Sequence, residues 1–454
     1  MTSTLARRVV SPTSATTHAW RWWMAPLILE SVAIGTVVLA LAAADAAGLP
    51  AAGLAAAIVT TVLSLSAVVM LAEVVASRAA RPPAASVGRP PRATAIVAAY
   101  LPNERHHLLA TLEHLLGVPY GGHLEVICAY NTPTPLAVEG DLRRLAERHP
   151  RLHVLPVKDS TSKAANVNAA LAVATGEIVG IFDADHHPQP GGFERAGRWL
   201  AAGYDVVQGS CRVRDGGRSR LARVVAAEFD GMYCVTHPGR ARVQGFAIFG
   251  GSNGYWRAEV LRDVLLDPSM LTEDIDASIR GFARGVRLVT DPAIVSTELA
   301  PATVAALWGQ RVRWAQGWSQ VARHRLRPAL LSPAVSRRAR AGLVWQFGWC
   351  EMLPWIAILG LGVLIRDVMS AGLHWTPTAA ALAAFNLAVG PLHAVAGRAR
   401  APRSGRHATS WHLLYAAVSA LFYVELLNLA KRTGHVREIR GNRAWVVTAR
   451  PEPR

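Results

Sequence analysis

The chain has 454 residues, 51% of them hydrophobic, and a formal net charge of +17. That length holds one large domain with accessories, and the apolar excess argues against a purely soluble enzyme and for membrane segments. No zinc-ligand array, recognition helix or aromatic-basic strand motif accompanies the positive charge, so its expected partner is a lipid surface and no nucleic acid.

Residues 1–19 read as a polar cytosolic arm containing Arg7 and Arg8. Trp20, Trp22 and Trp23 then precede an apolar run from Met24 to about Ala44, and a second run from Ala51 to about Leu71 follows a short turn with Gly48 and Pro50. Two such runs in succession predict a transmembrane hairpin over 20–77 rather than a cleaved signal peptide. Arg78, Arg81, Arg89 and Arg92 follow the second run, whereas the intervening turn carries only Asp45, so both ends of the hairpin are expected in the cytoplasm.

After a Pro-rich linker over 78–92, short apolar β-favouring runs alternate with helical patterns. Strands are predicted at Ala93–Ala99, Leu124–Ala129, Leu152–Val157 and Glu177–Phe182, with helices at Arg105–Leu116, Leu142–Arg148 and Lys163–Thr175. This alternation predicts an α/β domain over 93–298 with a mainly parallel sheet, whose ligands bind at the carboxyl ends of the strands. Asn103 and Glu104, Tyr130 and Asn131, and Asp183 and Asp185 fall at those ends. The four cysteines, Cys128, Cys211, Cys234 and Cys350, form no CxxC pair and suit reduced thiols in a cytosolic domain.

Ile181-Phe182-Asp183-Ala184-Asp185 runs an apolar strand straight into two carboxylates, enough to hold a divalent hard cation that keeps its other positions for water and phosphate oxygens. By itself the pattern also fits a turn with two solvated aspartates. His186 and His187 are adjacent, share no helix face and have no third ligand spaced to help them, so they read as supporting residues. Thr272-Glu273-Asp274, with Ile275, Ile279 and Phe282 behind it, fits a helix start capped by Thr272, and equally a carboxylate base presented at that helix start. Gln310, Arg313 and Trp314 share one face if 303–324 is helical, whereas Arg311 points elsewhere. Trp314 is suited to stacking on a sugar and Arg313 to reaching a diphosphate. The same helix also fits an interfacial role, with Trp308, Trp314 and Trp318 in lipid.

In this order the motifs resemble those of the inverting family 2 glycosyltransferases of the GT-A fold, in the membrane-embedded branch of the cellulose, chitin and hyaluronan synthases. The resemblance implies a GT-A domain inserted between transmembrane helices. It implies that Pro102-Asn103-Glu104 and Lys163 face the nucleotide, that Asp183 and Asp185 hold Mg²⁺ or Mn²⁺ against the diphosphate, and that Ser252 lies on the acceptor side. It further implies that Thr272-Glu273-Asp274 carries the catalytic base, Asp274, and that Gln310 and Trp314 bind the acceptor while Arg313 binds the donor. Where the family has an Asp-Asp pair after the second strand, this chain has Tyr130-Asn131; the Asn131 carbonyl is left to accept from the base and Tyr130 to stack on it. Ser210–Ser219 and Phe229–Phe246 are expected to shape the acceptor side.

Beyond interface helices over 299–342, apolar runs at Leu343–Ile365 and Pro377–Ala396 predict two more crossings within 343–397, joined by a linker carrying Arg366 and Asp367. Glu351 inside the first run calls for a polar partner. Trp411–Ala430 has basic residues on both flanks, so it is expected to lie along the cytosolic interface or to re-enter, within a cytosolic tail over 398–454, giving four crossings. Trp445-Val446-Val447-Thr448-Ala449-Arg450 resembles a gating loop that closes over nucleotide, placing Thr448 and Arg450 at the donor. The expectation is a multi-pass enzyme of a bacterial-type inner membrane with its catalytic domain in the cytoplasm. It takes a nucleotide-activated hexose, UDP-glucose first, to build or extend a polysaccharide. A glycolipid synthase is the second reading and an inactive membrane scaffold the third.

Overall fold

The computed structural model describes residues 9–10, 19–78, 89–370, 376–403, 406–442 and 445–446. Thr448 and Arg450, with most of the predicted arm and linker, lie outside the described residues. Strand β1 (Val9–Val10) pairs in parallel with β10 (Trp445–Val446).

The central sheet has eight strands: β2 (Ala93–Tyr100), β3 (Leu124–Asn131), β4 (Leu152–Pro156), β5 (Ile178–Asp183), β6 (His187–Pro188), β7 (Val206–Val213), β8 (Gly254–Arg257) and β9 (Leu288–Glu298). Their order is β4-β3-β2-β5-β8-β7-β9-β6. Pairs β2–β3, β3–β4, β2–β5 and β7–β9 are parallel, whereas β8 runs antiparallel to both β5 and β7. The predicted mainly parallel sheet is therefore present, with β8 as a reversed strand between its two halves.

Strand β2 shows why these segments read as unbroken apolar runs. Ala93, Ala95 and Val97 pack into one core with Leu108, Leu112 and Phe182, whereas Ile96 and Ala98 pack into a second with Val167, Ile181 and Trp256. A strand covered on both faces gains from apolar side chains at every position. Because β2, β3, β5, β7 and β9 all point the same way, their carboxyl ends Tyr100, Asn131, Asp183, Val213 and Glu298 line up along one edge.

Among the described residues, four helices are long and apolar enough to cross a membrane by length and composition: Met24–Ala46, Ala51–Ala76, Arg337–Ser370 and Pro377–Arg400. They fall at the four predicted crossings. Leu39, 72% exposed, is a side chain that lipid contact would cover. The third helix runs further at both ends than its apolar run suggests, through a π-helical turn at Trp345–Trp349. Arg366 and Asp367 are thus helical, not part of a linker, and Arg366 pairs with Asp45 at 2.6 Å across the hairpin turn. The partner that Glu351 required is His435, whose Nε2 lies 2.7 Å from Glu351 Oε2 while its Nδ1 accepts from Trp355 Nε1 at 3.1 Å.

The stretch containing Trp411–Ala430 is helical over Thr409–Val418, Ser419–Tyr423 and Val424–Ile439. It packs along the helices Arg220–Gly231 and Val304–Leu331. Asp230 locks its start. This fully buried carboxylate accepts from Arg212 Nε at 3.0 Å and lies 2.9 Å from His407 Nδ1 and 3.2 Å from His412 Nε2. Burial opposes ionisation of Asp230, but the two histidines and Arg212 hold its carboxyl well below the usual carboxylate range.

Replacing Asp230 with Ala leaves a buried guanidinium and two imidazoles facing no carboxylate. This should cost about 3–5 kcal/mol, the scale for removing one partner of a buried ion pair. Thermal unfolding in detergent should show a clearly lowered midpoint for Asp230→Ala, and an unchanged midpoint would contradict this role.

Candidate active site

At the carboxyl edge of the sheet lies a cavity of about 230 Å³. Its floor and walls are built from strand ends, from the Gly250-Gly251-Ser252 loop and from the helix Val304–Leu331. Asp274, Glu273, Thr272, Glu104, Asn131, Lys163, Asp183, Ser252, Gln310, Arg313 and Trp314 all reach it, so most of the predicted set converges.

Asp274 sits in the first turn of the helix Glu273–Phe282, half-buried, with Oδ1 accepting from the Ile275 N–H at 2.9 Å. Gly251 packs against its other oxygen: a Cβ there would stand 2.7 Å from Asp274 Oδ2, and Gly251 has φ +86°. Only glycine meets both demands without cost. Thr272 occupies the N-cap position, but its hydroxyl makes no capping bond. Its side chain lies over Gly317, where a Cβ would meet Thr272 Cγ2 at 2.4 Å. The Leu271 N–H donates to Gln320 Oε1 at 2.9 Å, and Arg325 Nε bonds buried Asp276 at 2.6 Å. The helix Glu273–Phe282 is thus positioned by the helix that carries Gln310, Arg313 and Trp314, which Thr303 caps through the Ala306 N–H.

Burial and the adjacent Glu273 carboxylate push Asp274 up to about 7, against the lowering effects of Lys163, the Ile275 N–H and Arg313. Lys163 begins the helix Lys163–Val173 behind the Ser162 cap, and its ammonium bridges Asp183 Oδ1 and the Gly251 carbonyl. Burial works against its charge, but Asp183, Glu273 and Asp274 raise it overall, so it stays protonated.

Several expectations are corrected. Asp185 is fully buried and is not among the cavity-lining residues; its Oδ2 accepts from the Leu299 N–H at 3.0 Å. Asp183 alone of the pair presents its carboxylate, a third exposed, to the cavity, and it is the residue that fits a cation there. Pro102 is the second residue of the short helix Leu101–Glu104 and does not line the cavity. Tyr130 lies in the core, with its hydroxyl donating to Glu139 at 2.9 Å, so it stacks on nothing in the cavity. Asn131 accepts from Asn166 Nδ2 at 2.8 Å and donates to Ser160 O, which fixes its amide for internal bonds. Ser252 Oγ accepts from the Asp183 N–H at 3.1 Å and so braces the Asp183 turn.

Arg311 leaves the cavity as expected, bonding Glu228 and lying 4.3 Å beneath the Trp314 ring. Gln310 Oε1 and Thr272 Oγ1 are buried without a hydrogen-bond partner among the described residues, which suits them to a polar ligand. Phe229, Met232, Tyr233 and His237 form the remaining wall, within the stretch expected on the acceptor side. Burial, with Arg240 nearby, drives the His237 imidazole down to about 3, so it is neutral. Nothing in the sequence marked His237, because only the close packing of its helix turns it inward.

Residues 90–317 match the family model described as "Glycosyltransferase like family 2". A probable glycosyltransferase, YdaM, of Bacillus subtilis is 24% identical over 239 residues, covering 50% of this chain and 55% of that protein. The poly-beta-1,6-N-acetyl-D-glucosamine synthase of Staphylococcus aureus is 41% identical over 68 residues, covering 15% of this chain and 14% of that protein. The chain thus spans about half the length of the first of these curated relatives and much less of the second. Among solved structures, the mannosyltransferase PcManGT of Pyrobaculum calidifontis, in complex with GDP-Man and Mn²⁺, superposes with a TM-score of 0.55 at 21% identity, covering 90% of this chain and 99% of that one. The shared fold is of the GT-A type.

An infrared difference titration should reveal a carboxyl that is protonated below about pH 7 and ionised above it, absent from Asp274→Asn. A wild-type spectrum with no carboxyl titrating between pH 6 and 8 would contradict the environment described for Asp274.

Proposed function

The chain belongs to glycosyltransferase family 2, and we propose that it is a membrane-bound inverting β-glycosyltransferase that extends a polysaccharide from a nucleotide-diphosphate hexose. The observation that carries the reading is that Asp274, Asp183, Lys163, Arg313 and Trp314 share one cavity. Relatedness to polysaccharide synthases supports a glycan acceptor. UDP-glucose remains the first donor to test on the motif resemblance, although Asn131 and Tyr130 are committed elsewhere and lend the uracil assignment no support.

In this account Trp314 stacks on the acceptor sugar, stiffened from behind by Arg311, while Gln310 Oε1 accepts from one of its hydroxyls. Asp274 takes the proton of the attacking hydroxyl as oxygen bonds to the anomeric carbon and the bond to the diphosphate breaks. Lys163 and Arg313 stabilise the charge that develops on the leaving group. A divalent cation, Mg²⁺ or Mn²⁺, when bound supplies further neutralisation of the diphosphate. Asp183 would hold it, and Asp185 fixes the turn on which Asp183 stands. With Asp274 as base and no covalent intermediate, an α-linked donor yields a β-linked product. Cytoplasmic placement of the domain rests on the arginines after the second apolar helix. Only two of the four candidate spans follow the catalytic domain, which favours a glycolipid product as the second reading.

The test is nucleotide release by the purified protein in detergent with Mn²⁺ or Mg²⁺, across UDP-sugars and GDP-mannose, followed by sizing and solvent partition of the product. High-mass product supports polymer synthesis, short organic-soluble product supports the glycolipid reading, and no release from any donor contradicts both. Asp274→Asn should reduce transfer at least ~10²-fold while leaving nucleotide affinity by calorimetry nearly unchanged. Lost nucleotide binding would refute its role as base. Because the ionised form of Asp274 is the active one, kcat/KM should fall by about tenfold per unit as pH drops below the free-enzyme value near 7. A flat profile down to pH 5 would contradict this assignment.

A further inference from the structure

Beside Asp183, three side chains from separate parts of the sheet converge: His186 from the turn after β5, Cys211 from β7 and Glu298 from the end of β9. One nitrogen, one sulfur and one carboxylate oxygen lie within 4.8 Å of one another, and all three residues border the cavity. His186 is 1% exposed, Cys211 1% and Glu298 8%. His186 Nδ1 lies 3.2 Å from Ser296 Oγ, which orients the ring and turns Nε2 toward Glu298 Oε2 at 3.7 Å.

That separation is too long for a hydrogen bond. It matches two donor atoms sharing one small cation: with bonds of about 2.0–2.3 Å to a tetrahedral centre, neighbouring donors stand roughly 3.4–3.8 Å apart. The Cys211 thiol donates a long 3.7 Å bond to the Ser252 carbonyl, so a cation would displace a weak contact. Imidazole and thiolate donors suit zinc or cobalt, whereas Mg²⁺ prefers oxygen alone.

We propose that His186, Cys211 and Glu298 form a site for a borderline-soft divalent cation of the Zn²⁺ class, with its fourth position open toward the cavity. Binding releases the Cys211 proton to solvent and leaves thiolate, neutral imidazole and carboxylate as ligands. Asp183 Oδ2 lies 3.9 Å from His186 Nε2, at the mouth of that open position. A cation here competes for the carboxylate assigned to the hard cation of the reaction, so Zn²⁺ is an inhibitor relieved by excess Mg²⁺ or Mn²⁺. The inhibition rests on the glycosyltransferase reading of the cavity, whereas the binding does not.

The experiment uses Co²⁺ as a spectroscopic probe on the purified full chain in detergent. One equivalent should give a thiolate-to-cobalt charge-transfer band in the near ultraviolet, removed by one equivalent of Zn²⁺ and missing from Cys211→Ser. Glu298→Gln, which keeps the thiol, should weaken Co²⁺ binding at least about tenfold and guards against a misfolded Cys211→Ser protein. Absence of the band in the wild type, or its persistence in folded Cys211→Ser, overturns the site. A normal cobalt band with no zinc inhibition of nucleotide release would preserve the site and refute the competition with Asp183.

Discussion

One partly buried ammonium ties the two sides of the cavity together. Lys163 bridges the Asp183 carboxylate, at the end of β5, and the carbonyl of Gly251, the residue that packs against Asp274. The Asp183 side and the Asp274 side of the cavity therefore share one cation. Without it, Asp183, Glu273 and Asp274 would crowd negative charge into one pocket, and repulsion between like charges at short range would splay the loops apart. The bridge lets the carboxylates of Asp183 and Asp274 share one small volume.

A second constraint reaches the cavity from the side of the apolar helices. The helix Val304–Leu331 carries Gln310, Arg313 and Trp314 and, through Gly317, Gln320 and Arg325, also seats the helix that bears Asp274. That long helix in turn lies against Val424–Ile439, which touches the third apolar helix through His435 and Glu351. Asp274, the face bearing Gln310 and Trp314, and the apolar helices are thus linked through packed, hydrogen-bonded contacts. A displacement of the helix Val304–Leu331 would be felt at Asp274 without any change in the strands.

Much of this was legible in the sequence for identifiable reasons. Strands buried on both faces leave unbroken apolar runs, and their ends are marked by the first polar residues, so Asp183 and the start of Glu273–Phe282 could be placed by inspection. Gln310, Arg313 and Trp314 followed from helical spacing. What failed were side-chain directions and long-range meetings. One intervening residue separates Asp183 from Asp185, yet the turn sends one carboxylate into the cavity and the other under Leu299. Tyr130 points into the core because alternation along β3 assigns it there, and Asn131 is taken by Asn166, a partner 35 residues away. The meeting of His186, Cys211 and Glu298 depends on sheet order, which no local pattern encodes.

The central claim is that Asp274 activates an acceptor hydroxyl for direct attack, so the stereochemistry of the product tests it most directly. Proton NMR of product made from an α-linked nucleotide sugar should show a newly formed linkage in the β configuration only. A product with the α configuration would require a double displacement or front-side attack, and would contradict the account of this site.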